Sequence, residues 1–121
     1  MGYMRAELKG LYSSGVDDLE LFAPTEPTHF ALLVRACVGP VGTISEETFD
    51  IMVCSPSWIE EEASRVEVFS PRHHLVMARF NYKSLRVYIE KFCNSCRGAN
   101  WDQVGLMVSR LGFWEFEDYN G

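Results

Sequence analysis

The chain has 121 residues and a formal net charge of −6 at pH 7, with 47% hydrophobic and 23% charged residues. These values fit one globular domain and exclude a wholly disordered chain. The acidic balance argues against nucleic-acid binding, which needs clustered Lys and Arg, and no apolar run approaches the roughly 20 residues that cross a bilayer. The N-terminus lacks a secretory signal pattern. We expect one cytoplasmic domain over residues 1–121, with residues 1–3 consistent with a start-site extension or an expression remnant.

The first half of the chain carries the pattern of three strands. Residues 4–12 alternate apolar and charged side chains, which is typical of a strand with one solvated face. An exposed loop that can include a helical turn is expected next. Residues 29–38 are mostly apolar on both faces and predict a central strand, and residues 48–54 alternate again. Because a short turn rich in Gly and Pro joins these two strands, they should form an antiparallel hairpin.

A helix is predicted directly after this hairpin. Ser55 and Pro56 resemble a helix N-cap followed by proline at the first helical position. Residues 73–80 then return to a strand pattern, and we expect His74 to face the packed side of the sheet.

Two further helices and a terminal segment complete the prediction. Apolar side chains recur at helical spacing over residues 83–96, with Gly98 placed to end that helix, and again over residues 101–111. Residues 113–119 alternate aromatic and acidic side chains and predict a short strand or an extended arm, with Trp114 and Phe116 inward. The predicted fold class is α+β: a mainly antiparallel sheet of about four strands with about three helices packed on it, as a two-layer sandwich.

Cys93 and Cys96 have the C-x-x-C spacing that is found in zinc sites and redox pairs. Redox pairs lie at the start of a helix, whereas this pair falls at a predicted helix end, and a structural zinc site needs four ligands. We therefore interpret Cys96 as a core residue and Cys93 as incidental. A small zinc- or thiol-dependent enzyme that uses this pair with a histidine is the alternative, and a self-associating structural module is another.

Catalytic motifs are missing from the sequence. His73 and His74 are adjacent, so on a strand their rings would point to opposite faces and could not share one site. The chain contains neither a G-x-S-x-G nucleophile elbow nor a phosphate-binding glycine loop. The sequence supports no enzyme class, and we predict neither a cofactor nor a metal site.

Acidic residues beside aromatic ones are the remaining surface signal, and they predict binding of a protein partner. Carboxylates can pair with Lys and Arg of a partner while aromatic side chains anchor the contact. Residues 60–62 also suit a solvated helix start, where negative charge complements the helix dipole. The predicted partner-binding residues are Asp17, Asp18, Glu20, Glu60, Glu61, Glu62, Trp114, Glu115, Glu117 and Asp118.

Five stretches of the chain, in order, resemble the immunity protein 8 family of bacterial polymorphic toxin systems. They are residues 6–13 with 17–20, residues 49–58, residues 72–76, residues 96–98 with Trp101, and residues 114–119. The resemblance implies a cytoplasmic antidote that binds a cognate toxin domain and blocks its active site or its access to substrate. If that toxin is a nuclease, an acidic protein could occupy its basic groove as a charge mimic. Steered association near about 10⁸ M⁻¹s⁻¹ at low salt would follow.

Overall fold

The computed structural model describes residues 3–116, and the fold within them is α+β. The strands are β1 (Met4–Tyr12), β2 (Ala31–Pro40), β3 (Glu47–Cys54), β4 (His74–Val76), β5 (Arg97–Gly98) and β6 (Phe113–Trp114). The α-helices are α1 (Pro56–Val66), α2 (Tyr82–Asn94) and α3 (Trp101–Val108), and a 3₁₀ turn spans Leu19–Leu21. None of the helices in these residues has the length and apolar character of a membrane span.

The strands form one mixed, curled sheet in the order β4–β3–β2–β1–β5, with β6 paired to β3 on the same edge as β4. The antiparallel β2–β3 hairpin is confirmed, but β4 runs parallel to β3. The described residues therefore hold six strands rather than about four, and the sheet is not purely antiparallel. Parallel pairing needs a crossover connection, which α1 provides. β5 and β6 have two residues each, too few to show a period in the sequence.

The core lies between one face of the sheet and the helices α2 and α3. Alternate residues of the strands point into it, as period-two patterning requires. From β2 and β3 these are Leu32, Val34, Ala36, Val38, Phe49, Ile51 and Val53, and from α2 and α3 they are Leu85, Ile89, Cys93, Val104 and Val108.

Helix α1 departs from the two-layer prediction. The hydroxyl of Ser55 caps it by accepting a hydrogen bond from the Trp58 N–H at 3.3 Å, as expected. Yet no residue of α1 is buried, and Trp58 stacks on His74 with ring centroids 6.0 Å apart. Leu75 is the β4 residue that packs against the core, so its neighbour His74 points to the opposite face. The prediction that His74 faces the packed side is therefore wrong.

Gly98 does not end a helix. Helix α2 ends at Asn94, and Gly98 lies in β5, paired with Met4 of β1. A Cβ atom at Gly98 would lie 2.9 Å from the Cβ of Gln103, so the close approach of α3 explains the glycine. The last predicted segment is seen as β6, and residues 117–119 lie outside the described range.

Candidate partner-binding surfaces

The cysteines are packed thiols rather than a reactive pair. Cys93 and Cys96 are 0% and 3% exposed. Burial raises the pKa of Cys93 to about 12, and it also raises the pKa of Cys96. Since the thiolate is both the nucleophile and the metal ligand, burial disfavours both chemistries. Cys93, interpreted above as incidental, is part of the core on α2. Within residues 3–116, no three His, Cys, Asp or Glu side chains are grouped to hold a metal ion.

The three histidines lie apart, and each contacts a different segment of the chain. The Nε2 atom of His29 lies 3.3 Å from a carboxylate oxygen of Glu61 on α1. The Nε2–H of His73 donates to the backbone carbonyl of Ser109 at 2.8 Å. His74 lies on the other face of the sheet, against the indole of α1 described above. No acid–base pair forms among these three rings.

The first two acidic segments belong to parts of the structure that touch. The connection between β1 and β2, residues 13–30, is hydrogen-bonded to the start of α1. The N–H of Phe30 donates to the hydroxyl of Ser55 at 3.0 Å, and the hydroxyl of Ser57 donates to the carbonyl of Thr28 at 2.9 Å. The loop and the helix therefore form one continuous region.

We name residues 13–30 together with residues 55–67 the acidic lobe. Residues 13–30 contain four acidic and no basic residues, giving −4, and residues 55–67 contain four acidic residues and one arginine, giving −3. The lobe thus has a formal charge of −7, against −6 for the whole chain. The net negative charge of the protein is therefore concentrated in these two adjoining segments.

The predicted acidic residues of the lobe differ in what they contact. Asp18 accepts a hydrogen bond from the N–H of Glu20 at 3.0 Å and so caps the 3₁₀ turn. Glu62 pairs with Arg65 on the next turn of α1, and Glu61 pairs with a histidine of the loop. The exposed carboxylates that no side chain bonds within residues 3–116 include those of Asp17, Glu20 and Glu60.

The third acidic segment is only partly on the surface. Trp114 is 3% exposed and stacks on Phe49 with ring centroids 5.7 Å apart, so its side chain belongs to the core. The inward direction predicted for Trp114 is confirmed, whereas the inward direction predicted for Phe116 is wrong, because its side chain is 39% exposed. Glu115 is exposed, and Glu117 and Asp118 lie outside the described residues.

A further surface, which the sequence patterns did not reveal, is the face of the sheet opposite the core. The strand register places Tyr12, Arg35, Asp50 and Phe113 in one row across β1, β2, β3 and β6. Leu33 lies in the next row of β2 on the same face. We name this surface, defined by these five residues, the open face. Tyr12 and Leu33 are each 46% exposed and Phe113 is 50% exposed.

An ion pair lies at the centre of the open face. Arg35 binds Asp50 through two hydrogen bonds, Nε to Oδ1 at 2.8 Å and Nη2 to Oδ2 at 3.1 Å. Hydrogen bonding to Asp50, and then to Tyr12, raises the pKa of the Arg35 guanidinium, which therefore stays charged. Tyr and Arg are the residue types that dominate binding hot spots. Only the register of four strands brings these side chains together, so no local motif marks them.

Residues 3–116 thus combine packed thiols, separated histidines and two solvent-facing surfaces, the acidic lobe and the open face. The chain matches the family model described as immunity protein 8 over residues 6–119, and it therefore belongs to the immunity protein 8 family. This match confirms the resemblance drawn from its sequence. Membership implies an immunity protein of a toxin system, which acts by binding a toxin partner. No curated protein and no solved structure matches the chain.

Proposed function

We propose that this protein binds a cognate toxin domain in the cytoplasm and neutralises it by covering its active site or its path to substrate. Membership of the immunity protein 8 family carries the proposal, because proteins of that family act on toxins. The buried, protonated thiols support the proposal, because they disfavour the alternative of a thiol- or zinc-dependent enzyme.

Charge favours a toxin with a basic groove, such as a nuclease of a polymorphic toxin system. Nucleic-acid grooves are lined with Lys and Arg that neutralise phosphates. The acidic lobe, with its charge of −7, would fill such a groove in place of nucleic acid. Attraction between the two surfaces would also speed association, which an antidote needs in order to act before the toxin does.

Co-expression tests the proposal directly. The protein is produced together with the toxin encoded immediately upstream of its gene, and growth rescue and co-purification are measured. A tight complex that restores growth is the expected result. Folded proteins that neither associate nor restore growth would overturn the proposal, and stoichiometric zinc in the purified protein would favour the enzymatic alternative.

Charge reversal tests the contribution of the acidic lobe. Asp17→Lys combined with Glu60→Lys should lower the association rate constant with that toxin at least about tenfold at low salt, because steering depends on opposite charge. The dissociation rate constant should change less. Stopped-flow mixing at two ionic strengths separates the two rate constants, since salt screens the attraction.

The matched control carries the same change in net charge on the helical side of the molecule, as Glu90→Lys combined with Asp102→Lys on α2 and α3. It should slow association less. If both double variants slow association equally, the position of the lobe is irrelevant and only total charge matters.

A further inference from the structure

We infer that the open face is the centre of the surface that docks on the toxin domain, and that its partner surface is apolar in the middle and cationic where it meets the acidic lobe. This inference rests on the proposed function, and it names the contact surface that family membership leaves open.

Three half-exposed apolar side chains share the open face. Single exposed apolar residues are normal on protein surfaces. Here Tyr12 and Phe113 end one cross-strand row, and Leu33 lies one row along on β2, each about half exposed. Adjacent strands are about 4.8 Å apart, so that row of four residues spans roughly 14 Å. Tyr12 and Phe113 therefore lie on either side of the Arg35–Asp50 pair, and exposed aromatic side chains of this kind suit the centre of a protein interface.

The central ion pair makes this surface suitable for burial. A charged group that loses water without a partner strongly disfavours binding. The guanidinium of Arg35 already has two hydrogen bonds to Asp50 and a third contact with Tyr12. A partner can therefore cover the centre of the open face without leaving either charge unpaired.

The acidic lobe borders the open face on two sides. The chain passes directly from Tyr12 into the lobe, where the hydroxyl of Ser13 donates to the backbone carbonyl of Leu33 at 2.6 Å. Helix α1 reaches the same face through Trp58, whose ring stacks on His74. The row of Leu33 continues through β3 to His74. Exposed apolar side chains at the centre, surrounded by a charged border, are the usual anatomy of an interface between proteins.

Charge also decides between a toxin and a second copy of this chain. A face-to-face dimer of the open face would bring two lobes of charge −7 to the border of one interface, and such like-charge contact is unfavourable. A cationic partner gains from the same arrangement. We therefore assign the open face to the toxin domain.

Two matched triple variants test the inference, with the toxin domain encoded immediately upstream as the probe. The first truncates the open face, as Tyr12→Ala, Leu33→Ala and Phe113→Ala. The second truncates three equally exposed apolar residues on the helical side, as Val87→Ala, Tyr88→Ala and Leu106→Ala. Titration calorimetry should show a Kd at least about 100-fold weaker for the first variant and within about threefold of wild type for the second. Growth rescue should be lost only by the first.

A single variant keeps the inference testable if the triple variant fails to fold. Leu33→Lys places a cation at an exposed strand position, and it should weaken binding at least about tenfold because the apolar middle of the partner surface would bury that charge without a counterion. Circular dichroism and urea unfolding verify that each variant is folded.

The outcomes separate the inference from the proposed function. If the wild-type protein neither binds nor neutralises the toxin, the proposed function fails. If the wild type binds but folded open-face variants bind equally well, only the inference is overturned. Sedimentation supplies one more outcome. A wild-type dimer that the open-face triple converts to a monomer, with toxin affinity unchanged, would assign the face to a second copy instead.

Discussion

The thiol of Cys93 lies on the buried side of α2, in line with Leu85 and Ile89. Its neighbour Cys96 donates a weak hydrogen bond to the carbonyl of Phe92 at 3.3 Å. Sequence spacing shows only that the two thiols are close along the chain, whereas reactivity depends on how well water solvates the thiolate. Burial of both thiols therefore disfavours the zinc and redox chemistry that the C-x-x-C spacing suggests.

The raised pKa of Cys93 predicts a loss of stability at alkaline pH. Its pKa rises from 9.0 to about 12 on folding, so this contribution to the free energy of unfolding is complete below pH 9 and declines between pH 9 and 12. Urea unfolding should show that wild type loses about 1 kcal/mol more than Cys93→Ala between pH 8.5 and pH 10. Ser84→Ala, a change at an exposed position of the same helix without a titrating group, should keep the wild-type slope. Parallel profiles for wild type and Cys93→Ala would contradict the assigned cause.

No residue of helix α1 is buried, so its stability depends strongly on its N-cap residue, Ser55. The hydroxyl of Ser55 accepts hydrogen bonds from the N–H groups of both Phe30 and Trp58. Ser55→Ala should lower the free energy of unfolding by about 2 kcal/mol, because it removes the cap and leaves the buried N–H of Phe30 without its acceptor. Ser64→Ala, at an exposed position of the same helix, should change it by less than about 0.5 kcal/mol in urea unfolding. Equal effects would show that the cap is dispensable.

The elements that could be predicted are those with local signals. Ser55 and Pro56 mark the start of α1, and the alternation over residues 48–54 marks β3, because both depend on neighbours in the chain. The parallel pairing of β4 could not be predicted, since it depends on where α1 returns the chain. The same reason explains the wrong side assigned to His74, whose strand has only three residues.

Over the whole molecule, the acidic lobe and the open face differ in how far the sequence predicts them. The acidic segments at residues 17–20 and 60–62 could be identified from composition, but their union depends on hydrogen bonds such as that from Ser57 to Thr28. The open face could not be identified, because its residues come from four strands and meet only through the register. The alternation after Gly112 predicted the inward direction of Trp114 correctly, but it failed for Phe116, which lies beyond the two residues of β6 and is exposed.

The strand pairs of the sheet join residues at very different separations along the chain, which sets the order in which the domain opens. The hairpin of β2 and β3 closes over only residues 41–46, whereas β1 meets β5 by bringing Met4 to Gly98. Longer loops cost more entropy to close and fold later. In amide hydrogen exchange, the β2–β3 amides should therefore be the slowest and those of Met4 and Gly98 among the first to exchange. Uniform protection would instead mark one cooperative unit. With the expected order, the hairpin that supplies Arg35 and Asp50 persists while the pair of β1 and β5 opens.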